Sequence, residues 1–367
     1  MNPGEQSRCW AEIDLTALRR NAAVARERVG EKVELMAVVK ANGYGHGMIE
    51  VAKALAGEAD LFGVANLQEA IELEPVVSRP IVILGPALPE ERQAIAEHDF
   101  VPSVSSVEEA EAFGRVSADI VPVNLVVDTG MGRMGFNEND VLEAIRTIAS
   151  LPKIDIHSIS THLPVADEDA AFTRAELARF SELIGRARAI VKTVRSHALL
   201  SAGILGFAER PFDIVRAGLM LYGVSPLPEY QSILEPVMSL KTRVVLVRDV
   251  AAGASISYGR TFIAPQAMRV ATLAAGYADG YPRSLSGKGA SILIRGRRCA
   301  LLGRVTMDLI MVDVTGVSEA AAGDEAVLLG KQEVDSISAS EVANWAGTIP
   351  WEIFTGIGSR VRRVYLS

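Results

Sequence analysis

Between about residue 33 and residue 222 the chain alternates short apolar runs with stretches whose apolar residues recur at helical spacing. The runs are VELMAVV, LFGVAN, PIVILG, VPSV, VPVNLVV, IDIHSIS, RSHALLSA and DIVRAGLML. Amphipathic segments such as MIEVAKALAGE, PEERQAIAEHD, SVEEAEAFGRV and FTRAELARFSELIGRARAIV lie between them. Uninterrupted apolar runs read as strands buried on both faces, and the helices linking them imply parallel crossovers. Eight such strands in about 190 residues predict an α/β fold, a (β/α)8 barrel of the TIM type. A doubly wound sheet, which usually has fewer strands, stays open as the alternative.

After SPLPEYQSILEP the texture changes. VMSLKTRVVLVRDV, ASISYGRTFIA, MRVATLAAGY, ASILIRGRRCALLGRVTMDLIMVDV and DEAVLLG are strand-like, with glycine-rich turns and no intervening helices. The predicted division is a barrel over 11–231 and a mostly β C-terminal domain over 232–367, closed by a short helix around SASEVANWAG. The early run RCWAEIDL could pair with that β domain, which gives it an N-terminal strand assigned to 1–10.

Composition narrows the class without changing this picture. The 367 residues are 49% hydrophobic and 22% charged, ordinary for a globular chain. A net charge of −8 argues against a nucleic-acid partner or an anionic membrane surface. Cys9 and Cys299 make neither a disulfide framework nor a metal cluster, so no metal is expected. No basic region leads into an apolar one at the start, and no apolar run is long enough for a bilayer. The expectation is a cytoplasmic protein with no membrane partner.

In a (β/α)8 barrel the chemistry collects where strand C-termini meet their loops. Lys40 falls after strand 1, Arg133 after strand 5, His162 after strand 6 and Ser201 after strand 7, with Arg216 near the end of strand 8. A lysine at the end of an apolar strand is partly desolvated, which favours its neutral, nucleophilic form and suits a Schiff base with a carbonyl compound. The following ANGYGHG suggests a flexible backbone and adds the hydroxyl of Tyr44 as a phosphate donor. SAG at 201–203 and RAGLM at 216–220 are small-residue turns of the kind that hold phosphate. An amine, a phosphate cradle and an arginine together suggest pyridoxal phosphate (PLP).

The motifs VVKANGYGHG, DTGMGRMGF, STHLPVADE, DIVRAGLMLYG, SYGRTF, AAGYADGYPR and GRVTMDLIMVDV resemble those of alanine racemase, a fold type III PLP enzyme, in family order across nearly the whole chain. The resemblance implies a PLP-dependent isomerase that interconverts L- and D-alanine, a homodimer with active sites shared between subunits, and a supply of D-alanine for peptidoglycan. It implies that Lys40 is the Schiff-base lysine and the base for the D-enantiomer, and that Tyr258, from the partner subunit, is the base for the L-enantiomer. Racemisation needs two bases on opposite faces of a planar carbanion. By the same carry-over Arg216 hydrogen-bonds the pyridine nitrogen and His162 links that arginine to the tyrosine. Arg133 and the backbone of Met307 hold the substrate carboxylate, and Tyr277 narrows the entrance. Tyr44, Ser201, Gly218, Leu219 and Trp351 take phosphate-binding positions.

Four positions depart from the pattern. Val126 stands where many relatives carry a carbamylated lysine that orients the motif arginine, so Arg133 must be held by a bound anion or another side chain, or be looser. Leu200 replaces a frequent asparagine, Trp351 a tyrosine, and Thr306 a frequent cysteine. A shifted preference toward serine stays open, because a snug pocket excludes one added hydroxyl poorly. A non-catalytic PLP carrier would lack the β domain with its second base, and a decarboxylase of this fold type would set an acidic group where Arg216 stands.

Overall fold

The structure, a computed structural model, describes residues 7–208 and 212–367. The chain divides into two compact units, one of Leu18–Gly43 and Met48–Glu235, the other of Met1–Ala17, Tyr44–Gly47 and Pro236–Ser367. The first strand, β1 (Cys9–Asp14), belongs to the second of these and runs straight into the helix Leu15–Val29. Asp14 Oδ1 accepts from the amides of Thr16 and Ala17 at 2.9 and 2.8 Å, satisfying two donors of the helix's first turn.

The larger unit is the barrel. Its strands are β2 (Glu34–Val38), β3 (Leu61–Val64), β4 (Ile81–Pro86), β5 (Val101–Val104) and β6 (Val121–Asp128). After the short β7 (Phe136–Asn137) come β8 (Ile154–Ser160), β9 (Arg195–His197) and β10 (Ile214–Ala217). The parallel order is β10-β2-β3-β4-β5-β6-β8-β9, with β7 lying beside β6. Arg216 N reaches Leu199 O at 2.9 Å across the remaining seam, so the eight-stranded sheet is nearly closed. The expected barrel is therefore the observed one, and the doubly wound alternative falls. Met36, Leu61, Val82, Val101 and Ile214, one from each of five strands, meet in one buried cluster. That interior layering takes the inward-facing apolar side chains of the strands out of water, which stabilises the barrel.

The second unit is mostly β. β11 (Met238–Val250) pairs antiparallel with β1 and with the strands Met268–Leu273 and Glu325–Gln332. Through Ile310–Asp313, Arg297–Leu302 and Ser291–Ile294 the pairing returns to Glu325–Gln332, so six strands form a ring that leaves no long bare edge. The closing segment is two helices, Ala339–Ala346 and Pro350–Thr355, where one was expected, and then the strand Arg362–Leu366 beside β1. Among the described residues no helix is long and apolar enough to cross a membrane.

Candidate active site

The turn after β2 sets the position of Lys40. Ala41, Asn42 and Gly43 all lie in the left-handed region at φ 53°, 54° and 61°, and Tyr44 follows at φ 51°. Each non-glycine residue there costs roughly 1–2 kcal/mol, and specific bonds offset the cost. Ala41 N donates to Glu69 Oε1 at 2.7 Å, Gly43 N to Val39 O at 2.7 Å, and Met48 N to Asn42 Oδ1 at 3.0 Å. Tyr222 Oη ties down Val38 O at 3.0 Å. The stretch expected to be flexible is thus a pinned left-handed turn. Burial lowers the pKa of the Lys40 amine, Arg133 and Arg216 lower it further, and Glu69 opposes them. The amine is tuned toward its neutral form.

On the barrel floor Arg216 is buried and held by three bonds. Nη2 donates to Thr161 O at 2.6 Å and Ala198 O at 3.1 Å, and Nη1 to His197 Nδ1 at 2.8 Å. Because a guanidinium only donates, His197 Nδ1 must accept, and the proton of the neutral ring sits on Nε2. That Nε2–H points at Asn124 Oδ1, 3.0 Å away. Asn124 in turn donates through Nδ2 to Ser103 Oγ and Ser160 Oγ, both at 3.0 Å. Burial and the Arg216 charge keep the His197 pKa well below its ordinary value, which locks this tautomer. The histidine that Arg216 bonds is His197, while His162, expected to link Arg216 to the tyrosine, makes no hydrogen bond among the described residues. Burial, then Arg216, Arg133 and Lys40, push His162 down to about 3, so it is neutral as well.

Ser201 opens the short helix Ser201–Gly206, and its Oγ accepts from Gly218 N at 3.0 Å and Met220 N at 3.2 Å. That bond brings the turns after β9 and β10 together. Leu219 is the first residue of the 3-10 turn Leu219–Tyr222, so its N–H has no partner within the turn. Leu200 offers no side-chain cap to the helix start. The Ser201 hydroxyl proton and the Leu219 amide are the donors of these two turns that remain for an anion.

Arg133 lies on the loop between β6 and β7. Asp128 Oδ1 accepts from Gly130 N and Gly132 N, both at 3.0 Å, and β7 pairs back onto β6 through Val127↔Phe136. A Cβ on Gly135, at φ 124°, would stand 2.7 Å from Asp128 N, so the loop's return needs glycine. The guanidinium itself is exposed and unpartnered among the described residues.

The other unit carries the remaining predicted residues. Its segment Tyr44–Gly47 is seated by Arg363 Nε, which donates to Gly45 O at 3.1 Å. A Cβ on Gly45 would come within 2.1 Å of Phe354 O, on the helix Pro350–Thr355 that bears half-buried Trp351. Burial pushes the Tyr44 hydroxyl up to about 12. Tyr258 is not on a strand but begins a 3-10 turn, Tyr258–Arg260, between two-residue strands. Ser257 Oγ donates to Arg304 O at 2.6 Å, while Tyr277 N and Ala278 N donate to Thr306 O and Met307 O at 3.0 and 3.1 Å. Thr306 Oγ1 accepts from Leu309 N at 3.1 Å and shapes that turn. The chain from 303 to 307 therefore gathers Tyr258, Tyr277 and Met307, which are 70%, 41% and 53% exposed. Arg360 braces the same surface with a bidentate pair to buried Asp279 and a third bond to Asp308.

Sequence reading missed His197 and Asn124. Their signal was a polar residue inside an otherwise apolar buried strand, in RSHALLSA and VPVNLVV.

The family profile described as the alanine racemase N-terminal domain matches residues 13–226, and that of the C-terminal domain matches 237–365. A curated alanine racemase of Halothermothrix orenii is 40% identical, with 97% of this chain and 96% of that protein covered. The crystal structure of alanine racemase from Bartonella henselae with covalently bound pyridoxal phosphate aligns at a TM-score of 0.90 and 29% identity, over 98% of this chain and 100% of that one. Alanine racemase from Bacillus anthracis with bound L-Ala-P aligns at 0.89 and 33%, over 98% and 95%. With both domain profiles matched end to end around a site of this construction, the chain belongs to the alanine racemase family.

Proposed function

We propose that this protein is a PLP-dependent isomerase that interconverts L- and D-alanine with two bases. The observation that carries the reading is Arg216, buried and held by a neutral His197, with its Nε–H and one Nη1–H left for a ligand. The residues fit the cofactor. The Ser201 hydroxyl proton and the Leu219 amide suit a phosphate, with Gly218 N holding Ser201 Oγ in place beside them, and Arg216 suits a ring nitrogen that must stay unprotonated. Lys40, Arg133 and Arg216, whose fields reach one another, make a positive site for a ligand with a phosphate and a carboxylate. The relatives' bound pyridoxal phosphate and L-Ala-P support the same chemistry here.

When bound, PLP supplies the electron sink that makes an amino acid's α-proton removable. The chain's own residues do the rest. Lys40 anchors the cofactor and moves a proton at Cα on one face, for which its lowered pKa suits it. Tyr258 of the partner subunit moves a proton on the opposite face. Arg133 and the Met307 backbone N–H hold the carboxylate, His162 lines the site in neutral form, Tyr44 and Trp351 add to the phosphate site, and Tyr277 narrows the way in. The exposed cluster of Tyr258, Tyr277 and Met307 supports a homodimer in which each subunit completes the other's site. Cytoplasmic residence and supply of D-alanine to peptidoglycan belong to the same proposal and rest on the family.

The test is PLP-loaded protein with L-alanine and L-serine in D2O, following α-proton exchange and chirality together. Inversion with exchange is expected, faster for alanine, and the ratio of the two substrates measures the preference that Val126 leaves open. Exchange with retained configuration would remove one of the two bases. Absence of exchange would leave a PLP carrier.

A further inference from the structure

The helix Ala170–Arg188 turns one face inward, and Glu176 lies on that face with 0% of its surface exposed. A carboxyl group is seldom buried so completely unless it is paired. Its Oε1 accepts a hydrogen bond from Thr129 Oγ1, and Thr129 Oγ1 also lies 2.6 Å from Thr161 Oγ1. Its Oε2 is buried with no partner among the described residues. Burial raises the carboxyl's pKa, against the opposing effects of Thr129 and Arg179.

Glu176 does not act on this region alone. Three residues further on, Arg179 donates through Nη2 to Thr129 O at 2.9 Å and through Nε to Glu138 Oε1 at 3.4 Å. Four residues earlier, Phe172 comes within 3.2 Å of where a Gly130 Cβ would stand. Residues 172, 176 and 179 share one helical face, and all three meet the segment from 129 to 138. That segment carries Arg133. Thr129 directly follows β6 and Thr161 directly follows β8, so the same contact joins the ends of two neighbouring strands. The carbonyl of Thr161 is an acceptor for Arg216.

We infer that Glu176 is a positioning residue for substrate binding: through Thr129 it fixes the base of the loop that carries Arg133, and so sets the affinity for the substrate's carboxylate. The inference rests on the reading of Arg133 as the carboxylate-binding arginine of an amino-acid racemase. An arginine with no partner among the described residues is placed by its backbone, so the anchoring of the loop decides where the guanidinium can reach. Val126 supplies no charge or hydrogen bond to orient it, which leaves the backbone anchor as the means of control. Glutamine at 176 would keep the acceptor at Oε1 and the shape of the group. Leucine would keep most of the volume and remove the acceptor.

The experiment is steady-state racemisation of L-alanine by the full-length, PLP-loaded protein and its variants Glu176→Gln, Glu176→Leu, Thr129→Val and Glu176→Leu/Thr129→Val. Loss of uniform binding raises KM and leaves kcat in place. Glu176→Leu and Thr129→Val are each expected to raise KM about tenfold, with kcat changed less than about twofold. Glu176→Gln should restore KM, and the double variant should be no worse than the weaker single one, because both remove the same bond. An unchanged KM in Glu176→Leu overturns the inference, as does a Glu176→Gln variant as impaired as Glu176→Leu. If Glu176→Leu fails to fold, Thr129→Val carries the test alone, and an unchanged KM there is equally fatal. A wild-type protein that racemises no amino acid sinks the underlying reading, whereas an active wild type with unaffected variants sinks only this role for Glu176.

Discussion

At the barrel floor Arg216 makes three hydrogen bonds to its own chain and shows almost no surface, whereas in the β domain Tyr258 is 70% exposed on a strained turn. The two regions solve different problems. A buried guanidinium left unpaired would cost several kcal/mol, so everything that fixes Arg216 must come from the same chain. Around Tyr258, Tyr277 and Met307 the backbone is held by its own bonds and by Ser257, Thr306 and Arg360, while the three side chains themselves are exposed. The arginine's hydrogen bonds are supplied within one copy. The exposed tyrosine surface is what the proposed dimer would cover.

The strongest way to break that contrast is to disable each half separately. Lys40→Ala and Tyr258→Phe should each lower racemisation by more than about a thousandfold. Mixing the two inactive proteins and letting subunits exchange should restore activity, because half of the dimers would be mixed and one of their two sites would carry both bases. The expected ceiling is about a quarter of wild type. If each chain builds its own site, the mixture stays dead, and the assignment of Tyr258 to the partner's site fails.

A smaller effect tests the floor itself. His197→Ala removes the acceptor of Arg216 Nη1 and leaves Asn124 Oδ1 without its ring donor. A hydrogen bond to a charged group contributes about 1.5–3 kcal/mol, so kcat/KM for alanine should fall by about ten- to a hundredfold. His197→Gln can keep an acceptor and should lose less. Equal activity in all three proteins would mean that Arg216 is placed by the carbonyls of Thr161 and Ala198 alone.

How far the sequence revealed these regions follows from the physics of each. The eight parallel strands were legible because strands buried on both faces leave uninterrupted apolar runs, and Lys40, Arg133, His162, Ser201 and Arg216 fall at their ends in the structure too. The pinned turn at 41–44 was not, since glycine and asparagine signal freedom in a sequence whether or not Glu69 and Val39 later remove it. His197 was passed over because a lone histidine within an apolar run carries no partner in the sequence, and hydrogen-bond direction is a property of three dimensions. The turn at Tyr258 was read as strand, because SISYGRTF is β-rich in composition and only Ser257, Gly259 and Arg260 at positive φ break the ladder.

Acid should separate the two regions more gently. Burial holds His157 down to about 4 and His162 to about 3, and His197 lies well below its ordinary value. All three lie in the barrel unit. Their folded pKa values are depressed, so below about 6.5 the unfolded chain takes up protons that the folded barrel refuses. Their contribution is fully present above pH 6.5 and is lost as pH falls toward 4. Carboxylates, whose ordinary values are near 4, do not act until later. The melting temperature should therefore drop by several degrees between pH 7.5 and pH 5.5, with the barrel loosening first. A melting temperature that holds constant across that interval would show that the histidines are accessible to protons in the fold.

The smallest effect is expected at Trp351, which the proposed reading adds to the phosphate site. Trp351 can donate one indole N–H and accept nothing. A neutral hydrogen bond contributes a net ~0.5–1 kcal/mol, so Trp351→Phe should weaken PLP binding by only about two- to fivefold, measured by titrating apoprotein and following absorbance. Ser201→Ala provides the matched measurement on the barrel side. It removes the acceptor that two backbone amides share, Gly218 N and Met220 N, so both donors are stranded in a buried turn. Stranding a buried donor costs the fold about 1–3 kcal/mol, which loosens the two turns; with the hydroxyl donor also gone, Ser201→Ala should weaken PLP by clearly more than Trp351→Phe. If the tryptophan variant loses as much as the serine variant, then the helix Pro350–Thr355 is as integral to the cofactor site as the floor of the barrel, and the contrast between a complete region and a contributing one does not extend to the phosphate.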